Sequence, residues 1–302
     1  MLQILGKTNI DFMKWKNISF TIMAVMISLG FFALVQVGRA KANLGIDFVG
    51  GTTVQLSFKD KLPIDEARTA LDKAGYQGFT LQEFAEGNKI LIRLREHEGV
   101  AEKVVATFQQ TFPGRPFEVD STTEIGPTIG RDLQKDALLA VIFSIIAIII
   151  YIAFRFEFKF GVAAAIATVH DVCAVLAVFY FLNKEINLLI VTALLTLAGY
   201  SLTDTVVVFD RIRENLKKAK REPLGTLVNN SINEVLSRTI ITSLTVVLVL
   251  VPLVLVGGEV LHDFSLALLI GVGFGTYSSI FVASPLLVVW HAKVGGSLIR
   301  KK

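Results

Sequence analysis

Cysteine is nearly absent from this sequence of 302 residues: Cys173 is the only one, and it lies inside an apolar run. A single cysteine excludes an intramolecular disulfide, and we interpret it as a small buried apolar residue. Nucleotide-binding signatures are also absent, since there is no Gly-x-x-x-x-Gly-Lys-Ser/Thr run and no Rossmann glycine pattern after a predicted strand. No Ser/His/Asp or Cys/His set is placed for hydrolysis. We therefore expect neither an enzyme nor a cofactor nor a metal site.

Charged residues are scarce as well, at 19% of the chain against 53% hydrophobic residues. The apolar residues are concentrated in six long uncharged runs, which predict a polytopic α-helical membrane protein. Each run is long enough to cross about 30 Å of hydrocarbon at about 1.5 Å per residue. The predicted spans are Ile18–Val37, Ala137–Phe154, Gly161–Leu182, Ile186–Phe209, Thr239–Gly258 and Phe264–Trp290.

The first apolar run has to be distinguished from a signal peptide, because it follows a mildly basic segment. Ala40-Lys41-Ala42 would fit a cleavage site of the small-x-small type. The uncharged run Asn17–Gly38 is 22 residues long, however, whereas the apolar core of a signal peptide spans about 7–15 residues. The length favours a retained membrane anchor.

Lys and Arg are distributed unevenly on the two sides of the predicted spans. The short loops on one side hold only Lys184, with no Lys or Arg at 257–263, while the opposite segments are rich in both. By the positive-inside rule the basic side is cytoplasmic. The predicted organisation is a cytoplasmic N-terminus at 1–17, a transmembrane helix at 18–37, a periplasmic domain at 38–135, transmembrane helices 2–6 at 136–292 with a cytoplasmic segment at 210–237, and a cytoplasmic C-terminus at 293–302.

The segment between the first two spans has the character of a soluble domain. Its apolar residues alternate in some stretches and follow helical spacing in others, which predicts four strands and two helices in the order βαββαβ. That order is the ferredoxin-like split unit, an α+β fold. The predicted strands are 52–58, 79–84, 89–95 and 117–125, with a turn at 86–88, and the predicted helices are 64–74 and 99–112.

The cytoplasmic segment after span four is predicted to be helical in two parts. The first part continues span four into water until Pro223, which breaks the helix. The second part, Leu224–Ser237, is predicted to lie along the membrane surface as a separate helix. Leu227, Ile232 and Leu236 would form its apolar side.

Asp204 is the most informative residue, because it interrupts the apolar run of span four. An ionised carboxylate at membrane depth costs at least a few kcal/mol, which makes Asp204 a candidate proton carrier. A neutral aspartic acid in a structural hydrogen bond is the alternative. Arg238 opens span five from the same face and is placed to reach Asp204, unless it is an interfacial arginine that extends towards water. Thr242 and Thr245 extend this polar stripe, although both hydroxyls can instead bond their own backbone.

His170 and Asp171 lie next to each other near the middle of span three. We expect Asp171 either to pair with Arg238 or to extend the proton relay. The side chain of His170 points about 100° away from that of its neighbour on a helix, so its role is left open. No third His or Cys lies nearby, which argues against a metal site.

Span six contains Gly271 and Gly275, which form a small-xxx-small face. Such a face allows two membrane helices to approach closely. We therefore predict tight packing of this span against a neighbour.

Four motifs follow one another along the whole chain: Gly45-Ile-Asp-Phe-Val-Gly-Gly-Thr52, Gly126-Pro-Thr-Ile-Gly130, Gly199-Tyr-Ser-Leu-Thr-Asp-Thr-Val-Val-Val-Phe-Asp-Arg-Ile-Arg-Glu-Asn215 and Leu236-Ser-Arg-Thr-Ile-Ile-Thr-Ser243. Together they resemble the SecF branch of the SecD/SecF family of protein-export membrane proteins, in the RND superfamily. The motif residues that this resemblance marks are Gly45, Asp47, Phe48, Gly50, Gly51, Gly126, Pro127, Gly199, Tyr200, Ser201, Asp210, Arg211, Arg213, Glu214 and Asn215.

The resemblance implies half of a pseudo-symmetric twelve-span unit whose other half is SecD. It further implies association with the SecYEG channel and the SecA motor in the bacterial cytoplasmic membrane, with YajC and YidC as further candidate partners. The family uses the proton gradient to draw preproteins out on the periplasmic side, and H⁺ or Na⁺ coupling is left open. The family's key carboxylate falls on Asp204 and its partner arginine on Arg238. Asn often precedes both residues in the family, whereas Thr203 and Ser237 stand here.

Two other functions compete with protein export. One is half of a proton-driven RND-type small-molecule efflux transporter, but such pumps generally carry larger periplasmic domains than the ~90 residues here, a size that suffices only for a small core. The other is a scaffold that transduces no energy, which the carboxylates inside the membrane disfavour.

Overall fold

The computed structural model describes residues 8–39, 41–84, 88–96, 99–218 and 222–294, with only the backbone of 153, 259, 260 and 294. Parts of the predicted termini and of the predicted turn at 86–88 lie outside these residues. Within the described chain, six helices are long and apolar enough to cross a membrane, so this is a multi-pass membrane protein. Their number and order agree with the six predicted spans.

The soluble domain lies between the first and second membrane helices. After α1 (Lys16–Gly38), its elements are α2 (Ile46–Val49), β1 (Gly51–Phe58), α3 (Ile64–Lys73), β2 (Thr80–Glu83), β3 (Lys89–Leu94), α4 (Val100–Thr111) and β4 (Phe117–Ile125). The strand order is β2-β3-β1-β4, and every neighbouring pair is antiparallel. This order agrees with the predicted split unit.

The core of the soluble domain forms between one face of the sheet and the helices α3 and α4. Alternate residues of β1, Val54, Leu56 and Phe58, are buried there, as the period of a strand requires. Leu71 of α3 and Phe108 of α4 pack against them. The hydrophobic pattern of the sequence therefore sets which face of the sheet is covered.

The remaining elements form the membrane domain with α1. They are α5 (Pro127–Arg155), α6 (Phe158–Phe181), α7 (Leu188–Lys218), α8 (Leu224–Val256), α9 (Gly258–Ser278), a π-helical turn (Ser279–Ala283) and α10 (Ser284–Val294). The helix α6 is the most buried span and contacts α1, α5, α7 and α9. The helices α1, α5 and α8 lie at the periphery and expose apolar side chains, as helices that face lipid or a membrane partner do.

The separate surface helix predicted for 224–237 is wrong. The helix α8 runs without interruption from Leu224 to Val256, and Pro223 precedes it. No Gly or Pro lies between Gly225 and Pro252, so nothing in the chain ends the helix near Arg238. The predicted apolar side is buried against the other membrane helices rather than on a membrane surface.

Span six is not the single regular helix that its hydropathy predicts. A π-helical turn at Ser279–Ala283 separates α9 from α10. Pro285 follows the turn and has no N–H, so it cannot donate the helical hydrogen bond to Phe281. The hydroxyl of Ser284 donates to the carbonyl of Ser279 at 2.8 Å. Such π-turns are frequently found at functional sites in helices.

Candidate functional site: a polar cluster between the membrane helices

Asp204 lies in the interior of the membrane domain, with 5% of its surface exposed. From α8, Thr242 Oγ1 lies 3.4 Å from Asp204 Oδ1 and Ser243 Oγ lies 3.4 Å from Oδ2. The hydroxyls of Tyr200 and of Thr276 on α9 contact Ser243 in turn, at 3.4 and 2.6 Å. The carboxyl group is therefore contacted by two neutral hydroxyl groups of α8, and one of these bonds in turn to hydroxyl groups of α7 and α9.

These hydroxyls compensate a negative charge on Asp204 only weakly. The hydroxyl of Thr242 lies closer to the carbonyls of Arg238 and Thr239, at 3.1 and 2.9 Å, and that of Ser243 lies 2.9 Å from the carbonyl of Thr239. A hydroxyl has one proton to donate, so these shorter contacts compete with the carboxylate. Binding a proton would remove a poorly compensated charge from the interior.

The predicted ion pair between Asp204 and Arg238 is not formed. Among the described residues, Arg238 has no carboxylate oxygen within 4.0 Å, and its side chain is exposed. It acts on Asp204 through charge alone, over a distance longer than a salt bridge. Arg238 lies on the exposed face of α8 together with Thr242 and Thr245, and of these three residues only Thr242 contacts Asp204. The hydroxyl of Thr245 donates to the backbone carbonyl of Thr242 at 2.7 Å. Thr245 therefore bonds its own helix backbone, the alternative to a role in a polar path.

Asp171 does not pair with Arg238, which corrects one of its two predicted roles. Its carboxylate is fully buried and accepts hydrogen bonds from Ser201 Oγ of α7 at 2.5 Å and Ser278 Oγ of α9 at 2.8 Å, both to Oδ2. His170 Nδ1 lies 2.8 Å from Oδ1. These contacts bring three helices together around one carboxylate.

His170 has an unpaired nitrogen in this cluster. Its side chain is fully buried, and within the described part of the chain Nε2 has no hydrogen-bond partner. The rings of Phe274 and Tyr277 flank it at 5.9 and 6.0 Å between centroids. An unpaired buried polar atom costs about 1–3 kcal/mol, so a water molecule bound to Nε2 would be stabilising.

The close approach of α9 to α7 makes this cluster possible. A Cβ added to Gly271 would overlap the side chain of Leu197, and one added to Gly275 would lie 3.1 Å from the Cβ of Ser201. These contacts agree with the tight packing predicted for the two glycines. Since Ser278 follows Gly275 by one turn, the same approach brings its hydroxyl to the carboxylate on α6.

The sequence of span six predicts a packing role for its glycines but no role for Thr276 and Ser278. The available signal was a group of four Ser and Thr residues at 276–284 of an apolar span, since such side chains hydrogen-bond across membrane helices. They are Thr276, Ser278, Ser279 and Ser284.

The motif residues in the C-terminal part of α7, between Asp204 and Lys218, do not contact Asp204. Both carboxylate oxygens of Asp210 accept from Nη2 of Arg155 on α5, at 2.9 and 3.0 Å. Arg211 contacts Glu234 of α8 at 2.5 Å. Further contacts in this group are Arg211 with Glu214 at 2.6 Å, Lys218 with Glu214 at 2.6 Å, Asn215 with Ser231 at 2.9 Å and Glu234 at 2.8 Å, and Arg213 with the carbonyl of Arg155 at 3.5 Å. These groups connect α5, α7 and α8 at one end of the membrane domain.

The motif residues near the soluble domain also lie away from Asp204. Gly126 and Pro127 begin α5, and a Cβ at Gly130 would lie 3.1 Å from the carbonyl of Phe48. Gly51 has φ +138, a conformation that L side chains rarely adopt, and opens β1. Gly45 contacts the loop before α7, and Asp47 contacts Leu188, the first residue of α7. Among the described residues, no group of three or more His, Cys, Asp or Glu side chains could hold a metal ion.

Two family models match the chain. The model described as "Protein export membrane protein SecD/SecF, C-terminal" covers residues 103–293, and the one described as "SecD/SecF GG Motif" covers residues 41–61. A protein translocase subunit SecF from Thermodesulfovibrio yellowstonii is 52% identical over 292 residues, 96% of this chain and 97% of the relative. One from Vibrio alginolyticus is 38% identical, over 95% of this chain and 91% of the relative.

Solved structures of SecDF are similar to the chain in fold. SecDF from Thermus thermophilus, described as a translocon-associated membrane protein, matches with a TM-score of 0.83 and 34% identity, over 95% of this chain and 39% of that one. SecDF in a super-membrane-facing form matches with a TM-score of 0.70 and 35% identity, over 96% of this chain and 40% of that one. The chain spans about two-fifths of the length of these SecDF chains.

Proposed function

The chain belongs to the SecD/SecF family of protein-export membrane proteins as a SecF-type subunit of protein translocase, and we propose that it uses the proton-motive force to promote preprotein export across the bacterial cytoplasmic membrane. The observation that carries this proposal is the buried carboxyl group of Asp204 between α7, α8 and α9, surrounded by weak neutral donors. A transmembrane potential of 100 mV is worth about 2.3 kcal/mol per proton, so energy is available at this position without a nucleotide.

In this proposal, the Asp204 carboxyl group has two states, which differ in whether it attracts Arg238. When Asp204 is ionised, it attracts the guanidinium group, which lies one turn before Thr242 on the adjacent helix. When Asp204 binds a proton, that attraction is lost and Arg238 returns to the exposed face of α8. Each protonation cycle then shifts α8 relative to α7, which converts proton movement into helix movement.

Asp171 and His170 act in this proposal as the second part of the relay. Ser201, which donates to Asp171, lies one helical turn before Asp204 on α7. The carboxyl groups of Asp171 and Asp204 are therefore linked through α7 and α9. The unpaired Nε2 of His170 is the position at which this part of the relay binds a water molecule. H⁺ is the proposed coupling ion.

A polar face on α7 and α8 supports a membrane partner of the SecD type. Small and polar side chains are unfavourable against lipid but allow another helix to pack closely. The exposed residues of this face are Thr192, Thr196, Gly199 and Thr203 on α7 and Arg238 and Thr242 on α8. We propose that SecD packs here and completes a twelve-span unit, which associates with the SecYEG channel and SecA, with YajC and YidC as further candidates.

The distribution of basic residues supports the orientation of the chain. Arg155 and Lys159 lie on the side that also holds Arg211, whereas the short loops on the other side contain only Lys184. We therefore place both termini in the cytoplasm and the soluble domain in the periplasm. In that position the sheet domain is available to preproteins as they leave the channel.

Export into membrane vesicles that carry the chain with its SecD partner tests the proposal. We expect Asp204→Asn to leave the complex assembled and to abolish the part of export that depends on the gradient. The control is Asp132→Asn, which changes an exposed Asp of α5 in the same way. Gradient-dependent export by the Asp204 variant at the wild-type rate would exclude the relay. Normal export together with lost small-molecule efflux would instead favour the efflux transporter.

A further inference from the structure

The soluble domain is attached to the membrane helices at the loop between α6 and α7. The backbone N–H of Gly45 donates to the carbonyl of Ile186 at 2.9 Å, and that of Ile186 donates to the carbonyl of Asn43 at 2.8 Å, as in a short parallel pair of strands. A Cβ at Gly45 would overlap the side chains of Glu185 and Asn187. This close approach explains why glycine stands at this position of the motif.

Asp47 binds the start of α7 from a different element. Its Oδ2 accepts a hydrogen bond from the N–H of Leu188, the first residue of α7, at 3.0 Å, and Asn187 Oδ1 accepts one from Ile190 at 3.1 Å. The first turn of a helix has unpaired N–H groups, and a carboxylate there is stabilised by the helix dipole. Asp204 lies sixteen residues further along α7, about 24 Å away at 1.5 Å per residue.

An ion pair forms a second connection at the same loop. Arg93 Nη1 of β3 lies 2.8 Å from Glu185 Oε2, and the two side chains are only 22% and 12% exposed. Arg93 is itself held by Gln82 of β2 at 3.0 Å. Burial raises the pKa of Glu185 although the guanidinium group opposes the rise, so breaking the pair would leave a poorly solvated charge.

Both connections involve residues in, or close in sequence to, the two central strands of the sheet, β1 and β3. Asp47 lies four residues before Gly51, which opens β1, and Glu185 contacts β3, the neighbour of β1. The loop between α6 and α7 contains only residues 182–187, and Lys184 holds it to Asp263 of α9 at 2.8 Å. So short and constrained a loop cannot absorb a displacement of α7.

We propose that Asp47, Arg93 and Glu185 are positioning residues that transmit movement of α7 to the sheet of the soluble domain. This inference rests on the proposed function, because it requires α7 to move when Asp204 exchanges a proton. In this proposal, α7 moves when the proton binds at Asp204 in the membrane, and the first turn of α7 displaces β1 and β3. The GG-motif region is then the mechanical connection between the proton site and the domain that meets preproteins.

A charge swap tests the ion pair in membrane vesicles that carry the full chain and its SecD partner. We expect Arg93→Glu and Glu185→Arg each to reduce gradient-dependent export by about 5- to 150-fold, the usual range of coupling between two sites. The double variant should recover most of it. Arg95→Glu, which reverses an exposed charge just beyond β3, is the matched control. Proton flux through the single variants should persist. A loss of proton flux together with export would instead indicate a purely structural defect.

Asp47 provides a second test that does not depend on the ion pair. Asp47→Ala should uncouple export from proton flux, whereas Asp47→Asn keeps a side-chain acceptor for the cap and should retain most coupling. Asp60→Ala, at an exposed bend, is the control.

Wild-type export by the single variants, or a charge-swapped double variant as inactive as the singles, would overturn the proposal for the ion pair. Equal export by Asp47→Ala and Asp47→Asn would overturn the proposed role of Asp47 as a cap of α7. These outcomes differ from a failure of the proposed function, which is reported by normal export of Asp204→Asn. If Asp204→Asn is inactive while Arg93→Glu and Asp47→Ala export normally, the proton site stands and the connection is refuted.

Discussion

Replacing Gly271 with Ala tests whether α9 must lie directly against α7. The added Cβ would overlap the side chain of Leu197, with Cγ only 2.9 Å away. Leu197 is 1% exposed and belongs to a packed cluster with Val175 and Ile190, so it cannot turn towards solvent. Overpacking of this kind costs about 1–3 kcal/mol, and alanine recovers about 1 kcal/mol of helix propensity. The expected net loss in the free energy of unfolding is about 0–2 kcal/mol.

Gly273 offers a matched control two residues away in the same helix. No heavy atom lies within 4 Å of the Cβ that alanine would add there. Gly273→Ala should therefore keep the gain in helix propensity of about 1 kcal/mol and carry no overlap. The two variants should differ by about 1–3 kcal/mol, although their chemical change is identical.

The assay is the midpoint of thermal unfolding of the detergent-solubilised protein. One kcal/mol shifts the midpoint by about 2–4 °C in a domain of 150–250 residues, so Gly271→Ala should unfold about 2–12 °C below Gly273→Ala. The same variant should lose gradient-dependent export, because separating α9 from α7 moves Ser278 away from Asp171. Equal midpoints for the two variants would refute the close packing of α7 and α9.

Three further substitutions follow from the same structure. Gly30→Ala should lower the unfolding midpoint relative to Gly38→Ala, because its Cβ would overlap the backbone of Cys173 whereas that of Gly38 meets nothing within 4 Å; equal midpoints would contradict this contact between α1 and α6. Ser278→Ala should destabilise the protein by about 1–3 kcal/mol in the same assay, since it removes a donor to a buried carboxylate. Arg238→Lys should impair gradient-dependent export because the planar guanidinium group is lost, and unchanged export would favour an arginine that only extends towards water.

The six spans and the order of elements in the soluble domain can be predicted from the sequence. Both depend on the polarity of contiguous residues, which is local: uncharged runs select the membrane, and the change from alternation to helical spacing separates strands from helices. The boundary at Arg238 could not be predicted this way. A charged residue at the end of a helix and one within a continuous helix give the same hydropathy pattern. The pattern therefore predicts a boundary at Arg238, although the backbone of α8 continues through that point.

The candidate site could be predicted only in part, for a related reason. Asp204 and Asp171 stand out because burying a carboxyl group is costly wherever it lies in a span. Their partners are set by the rotation of each helix about its own axis, which depends on packing across the whole membrane domain. That rotation turns Arg238 to the exposed face of α8 and brings Ser278 to Asp171. The π-turn after Ser278 could be suspected only from Pro285.

Proton flux into sealed vesicles that contain the chain with its SecD partner tests the central claim most directly. An imposed proton gradient should drive H⁺ across the wild-type complex and across Asp132→Asn, measured with a pH-sensitive dye inside the vesicles. Asp204→Asn cannot exchange the proton, and we predict that its flux falls to that of vesicles without the complex. Flux through Asp204→Asn at the wild-type rate would contradict the assignment of this carboxyl group as the proton carrier.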